Sequence, residues 1–219
     1  MLSVIAGTTD VIGFLGLGGL FTAHITGNLV ILAAHFAAGG AARVAAMLSV
    51  PVFMIVLGLS RLLAGGLEAI GIASLRPLLL LQLLLLAGFL ALCVAAGPRI
   101  DPNKASLILA GMLGVAAMAV QNTLVQISLR DAPSTAVMTS NLTRFMMDVG
   151  DLLIRHDPAD VERARIRAKK TCPTLVGFAV GCGIGARCVT AVGLWSLALP
   201  TLLALLALAI TNPTYKHAA

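Results

Sequence analysis

Apolar residues run in long blocks along this chain, and a helix needs about 20 of them to cross the hydrocarbon core of a bilayer. Residues 77–97 and 191–210 meet that length, the first interrupted only by Gln82. Residues 44–64 meet it with Arg61 near one end, where a long stem can snorkel to the interface. Residues 105–129 exceed it but carry Gln121, Asn122 and Gln126 toward their end. Residues 174–187 form a shorter block that extends back past Pro173 toward a basic loop, and residues 2–20 form the sixth block. The pattern predicts an all-α, polytopic transmembrane helix bundle. No Lys or Arg precedes Arg43, so the first block lacks a basic flank. It does not read as a cleaved signal peptide, and the missing flank leaves room for a native start upstream.

Two polar runs interrupt the blocks. One is Thr22-Ala23-His24-Ile25-Thr26-Gly27-Asn28-Leu29, the other Thr135-Ala136-Val137-Met138-Thr139-Ser140-Asn141-Leu142. Thr, Ala, Thr, Asn and Leu recur in register, and the interval is 113 residues both from 22 to 135 and from 28 to 141. Each run follows an apolar block with polar side chains, Asp10 in the first half and Gln121 and Asn122 in the second, and precedes two further blocks. The expectation is a single transmembrane domain over 1–219 with an internal two-fold repeat, 1–97 and 105–211, and two discontinuous helices.

Gly16, Gly18 and Gly19 crowd the first break, and Ala132-Pro133-Ser134 precedes the second. Gly costs about 1 kcal/mol in a helix interior and Pro about 3, so the helix is expected to stop at both places. New helices are expected near Asn28 and Asn141, where Ser, Thr and Asn oxygens cap free N–H groups. Irregular backbone at membrane depth is tolerated only where protein buries it or a cavity adjoins it. Half-helix N-termini from two repeats are a recurring transporter site. Runs that cross fully give eight crossings and parallel repeats; runs that re-enter give six and inverted repeats.

Composition narrows the function classes. Of 219 residues 59% are hydrophobic and 11% charged, with a mean hydropathy of +1.01. Soluble domains carry about 25% charged residues, so the lipid bilayer is this chain's solvent. The net charge of +6 gathers in Arg163, Arg165, Arg167, Lys169 and Lys170 without aromatic interleaving, so no nucleic-acid partner is expected. That stretch instead places residues 155–170 in the cytoplasm, with Lys216 and His217 on the same side. Cys93, Cys172, Cys182 and Cys188 form no C-x-x-C pair and the His residues lack ligand spacing, so no metal and no cofactor is expected.

The run from Gly18 to Asn28, Gly-Gly-x-Phe-x-x-x-x-Thr-Gly-Asn, resembles the YoaK-like family of bacterial membrane proteins, a family of unknown function. Gly7-Thr8-Thr9-Asp10, Gln121-Asn122 and Thr139-Ser140-Asn141 resemble it too, although Ser140 stands where the family has Gly. The resemblance covers nearly the whole chain. It implies a bacterial inner-membrane protein, and it favours Gln121 over Asn122.

Asp10 is the only charged residue before Arg43, and a carboxylate at membrane depth is functional, paired or protonated. Asp10, Thr26, Asn28, Gln121, Asn122, Thr139 and Asn141 are the candidate substrate contacts, each weighed against helix capping or helix-to-helix bonding. His24 is the candidate proton relay, weighed against a structural histidine. Arg144 with Asp148, and Asp151 with Arg155, have i,i+4 spacing for ion pairs. Gly177, Gly181 and Gly185 form a small-residue stripe for helix packing, and such glycines also allow a homo-oligomer.

These residues point to a small-solute transporter or permease with its site between the two broken helices, the solute being unknown. A membrane structural or assembly protein is the alternative. No Ser-His-Asp set, H-E-x-x-H run or pair of membrane aspartates supports an intramembrane enzyme, so no catalytic residue is assigned.

Overall fold

The computed structural model describes residues 1–38, 44–97, 101–129, 133, 138–155 and 157–211. Thr135, Lys216 and His217 lie outside the described residues, as does the second broken run from 134 to 137.

The described residues form α1 (Leu2–Gly16), α2 (Ile25–Ala37), α3 (Val44–Ala69), α4 (Leu75–Ala95), α5 (Ala105–Ser128), α6 (Met138–Ile154), α7 (Pro158–Val192) and α8 (Ala198–Ile210), with a 3-10 turn, Gly193–Leu197, joining the last two. No strand occurs among the described residues. α3, α4, α5 and the stretch Pro158–Ile210 are long and apolar enough to cross a membrane. The chain is an all-α membrane protein, with exposed Met54, Ile55, Leu59 and Leu84 positioned to meet lipid.

α5 is the central helix. Most of its apolar window (83%) is buried, against 17% of that in α3. Small residues allow this: a Cβ on Gly111 would strike Leu20, and one on Gly114 would strike Phe89. The packing is crossed between the halves. α3 rests on α5 while α7 rests on α1; α2 rests on α3 while α6 rests on α7; and α4 meets α8.

The glycine stripe of α7 packs against α1 as its spacing predicts. Gly177 meets Ser3, Gly181 meets Val4 and Thr8, and Gly185 meets Thr8 and Val11, while Gly7 of α1 fits against the Phe178 carbonyl.

Several boundaries differ from the sequence expectation. α1 stops at Gly16, because Gly18 and Gly19 take positive φ (69° and 91°) and turn the chain back. At 15 and 13 residues, α1 and α2 are about 22 and 20 Å long by the α-helical rise, short of the ~30 Å core. Residues 2–20 are therefore not one full crossing. The helices resume at Ile25 and Met138, three residues ahead of Asn28 and Asn141. Neither Asn is the N-cap: both sit inside the first turn, and α2 has no cap from its own side chains.

The basic stretch is helix rather than loop. Asp157 Oδ1 accepts from Ala159 N at 2.9 Å and Pro158 opens the helix, a strong start signal. α7 then runs 35 residues, about 52 Å at the α-helical rise, so its charged first turns stand clear of the core. Asp148 pairs with Arg167 of α7 at 2.7 Å rather than with Arg144, because its side chain is buried toward α7 and Arg144 is exposed. Asp151 and Arg155 pair at 3.1 Å as their spacing predicts.

Candidate functional site

The first break carries the chemistry. In α1, the Thr8 and Thr9 hydroxyls donate to carbonyls of their own helix, Val4 O at 2.8 Å and Ile5 O at 2.7 Å. Asp10 reaches away instead. The left-handed glycines fold residues 17–21 back along α1, so a Cβ on Gly13 would touch Leu20 O and Thr22. The start of α2 thereby arrives level with Asp10.

Asp10 is 4% exposed, and both its oxygens are engaged. Oδ1 accepts from Thr22 N at 2.8 Å and Ala23 N at 2.7 Å, and at 3.4 Å from His24 N and from the Thr22 hydroxyl. Oδ2 lies 2.7 Å from His24 Nδ1. The carboxylate anchors the bend just ahead of α2, where the converging N–H groups of Thr22, Ala23 and His24 and the positive end of the helix dipole stabilise a negative charge.

Asn28 secures the same bend. Its Oδ1 accepts from Phe21 N at 2.9 Å, and its Nδ2 donates to Phe21 O at 2.8 Å and Ser49 Oγ at 2.9 Å. A primary amide matches a peptide edge with one acceptor and one donor, which Leu or Val cannot do. Asn28→Ala is expected to cost about 2–3 kcal/mol by stranding buried backbone groups, and Ser49→Ala about 1 or less. Melting curves of the two variants in the same lipid check this order.

A groove of about 570 Å³ opens beside the Asp10–His24 pair. α1 contributes Asp10, Val11 and Phe14; the bend and α2 contribute Phe21, His24, Thr26, Gly27 and Val30; α7 contributes Phe178 and Cys182. The aromatic rings form a chain. Phe14 stacks on Phe21 at 4.7 Å, and His24 meets Phe21 at 6.0 Å and Phe178 at 5.4 Å, both edge-on. The volume falls within the range of about 300–1,000 Å³ typical of small-molecule sites, and the mostly apolar wall with few polar groups matches their usual chemistry.

Of the sequence-derived candidates, Asp10, His24 and Thr26 converge on the groove. Asn28 is fully buried behind the bend. Gln121 lies elsewhere, accepting from Gln82 Nε2 at 2.8 Å and donating to Leu2 O at 3.1 Å. Asn122, its neighbour, is 3% exposed, and its Oδ1 has no partner among the described residues. Thr139 is exposed in the first turn of α6, and Asn141 is buried there. None of these last four lines the groove.

Phe14, Phe21, Phe178 and Cys182 were not among the candidates. Phe178 and Cys182 each follow a stripe glycine by one position, so the stripe that fits α7 to α1 could have pointed to them.

Residues 1–210 match the family model described as a protein of unknown function, DUF1275. No curated protein and no solved structure matches the chain.

Proposed function

The chain belongs to the DUF1275 family, and from its geometry we propose that it is a small-solute transporter or permease whose solute binds in the groove between α1, the broken segment and α7. The observation that carries this reading is the broken helix itself. Irregular backbone between two apolar helices adjoins an apolar groove that holds a carboxylate, an imidazole and a hydroxyl with no hydrogen bond among the described residues, as at the sites of carriers with broken helices. The crossed packing of the halves, and the 113-residue interval between the two polar runs of the sequence, support two repeats, as in many secondary carriers. In that reading the bacterial inner membrane is its location, with the basic start of α7 on the cytoplasmic side.

The structural or assembly alternative draws on one fact: Asp10 is fully satisfied within the fold. A purely structural set of polar groups needs no adjoining cavity, however, and the groove is there. For an enzyme, Cys182 would have to serve as nucleophile to His24, but its thiol points at the Gly7 carbonyl, 3.6 Å away.

The test is a thermal-stability screen of the purified protein in lipid nanodiscs against a small-solute panel, beside Val30→Trp. Val30 is 70% exposed on the groove wall, so a larger side chain there fills the groove without invading the core. A ligand at about 100 times its Kd adds about 2.7 kcal/mol of stability. The expected result is a stabilising solute that loses its effect in Val30→Trp and moves in proteoliposome flux. A panel whose hits are indifferent to Val30→Trp, with no flux, would overturn the assignment. Asn28 is unsuited to this test because its substitution is expected to destabilise the bend itself.

A further inference from the structure

The polar atoms in the groove divide into two kinds, and the division bears on what the groove binds. This step rests on the groove being the solute site. The Asp10 oxygens are committed to the Thr22 and Ala23 amides and to His24 Nδ1, so Asp10 holds the bend and the imidazole in place. The other ring nitrogen, His24 Nε2, and the Thr26 hydroxyl make no hydrogen bond among the described residues. The His24 side chain is 37% exposed, opening on the groove. Around these two atoms Phe14, Phe21, Val30 and Phe178 offer only hydrocarbon and ring faces. A ligand that satisfies the site has one small polar head and an apolar body.

Charge decides the head. The titratable groups around His24 are Asp10 from α1 and Cys182 from α7, and the other titratable residue of α2, His35, lies three turns along the helix. With His24 neutral, Asp10 leaves the site with one net negative charge, and Nε2 offers a bare lone pair. With His24 protonated, the pair is neutral, Nε2–H is a donor, and the positive end of α2 favours an anion. Proton and anion therefore enter with no net charge, which lowers the cost of desolvating either at membrane depth.

We infer that the groove binds a small apolar monocarboxylate together with one proton on His24, the carboxylate accepting from His24 Nε2 and the Thr26 hydroxyl while Asp10 holds the imidazole in place.

Benzoate, with benzamide as its uncharged counterpart, is the probe. Binding to the full chain in nanodiscs is measured by calorimetry at about pH 5.5 and about pH 8, on either side of the ordinary histidine range. Two buffers of different ionisation heat report the protons taken up. Benzoate is expected to bind at least about tenfold tighter at the lower pH, a difference of about 1.4 kcal/mol, with close to one proton taken up per ligand at the higher pH, where free His24 is neutral, and little at the lower. Benzamide should bind weakly at both pH values. His24→Gln keeps a donor but cannot hold the second proton, so it should abolish the pH dependence. Thr26→Val leaves the Asp10–His24 pair untouched and should weaken benzoate about three- to tenfold at low pH, which keeps the inference testable if His24→Gln fails to fold.

Equal binding of benzoate and benzamide without proton uptake, in a groove that Val30→Trp still blocks, would overturn the carboxylate inference and leave the solute site standing. A phospholipid retained by the native chain and lost in Val30→Trp, with neither probe bound, would show a lipid-filled groove and overturn both.

Discussion

Asp10→Ala is expected to free the bend ahead of α2 from α1 and to cost about 3–5 kcal/mol of stability, since two buried N–H donors are left unsatisfied at about 1–3 kcal/mol each. The loss has two sources. Thr22 N and Ala23 N lose a charge-assisted acceptor at 2.8 and 2.7 Å, and His24 loses the group that orients its ring. Thr22 and Ala23 are buried, so their N–H groups have no other protein acceptor at hand. Asp10→Asn should cost less, about 1–2 kcal/mol, because an amide oxygen still accepts from both N–H groups without charge assistance. Denaturant or thermal unfolding in a fixed lipid mixture gives the difference between the two variants. Amide hydrogen exchange gives the location: protection should fall at Thr22 to Ile25 while α5 keeps its own. Equal losses in both variants, or a loss spread over the whole chain, would contradict the anchoring role.

Gly181→Val is the second large effect. A Cβ at 181 would lie 3.0 Å from Val4 Cα and 3.2 Å from Thr8 N, and closer still to the Val4 carbonyl. These are backbone atoms of α1, so no rotamer change can relieve the contact, and the two helices must separate. Overpacking of a core costs about 1–3 kcal/mol where side chains can adjust, and the upper end or beyond is expected where they cannot. Gly7→Val should behave alike, since its Cβ would meet the Phe178 carbonyl from the other side. Gly183→Ala is the control. It lies on the same helix with nothing within 4 Å of an added Cβ, so it should be neutral or stabilising by up to about 1 kcal/mol. Because the groove lies between α1 and α7, Gly181→Val should also abolish solute binding, whereas Gly183→Ala should preserve it.

The site was half legible from the sequence. Asp10, His24 and Thr26 stood out because each is polar in an apolar setting, and they lie in the groove. Asn28 stood out for the same reason, yet it pairs with the Phe21 peptide behind the bend. Type and setting mark a residue as constrained, but many constraints are structural. Gln121 illustrates this, since its amide joins α5 to Gln82 of α4 and to the end of α1.

Local pattern determined the membrane helices, the break at Gly18 and Gly19, and the contact stripe of α7. Each depends on what a short run of residues can do alone: fill about 20 positions with apolar side chains, adopt positive φ, or omit a Cβ every fourth residue. The helical start of α7 was equally local, written in Asp157 and Pro158 although read as a loop. Only the tertiary structure decided that the bend ahead of α2 is anchored by Asp10 of α1, that Asp148 turns to Arg167, and that Phe178 and Cys182 close a groove begun at Asp10. The physical reason is reach. A backbone amide takes an acceptor from wherever the fold delivers one, and hydrophobic periodicity records which face of a helix is covered without recording which partner covers it.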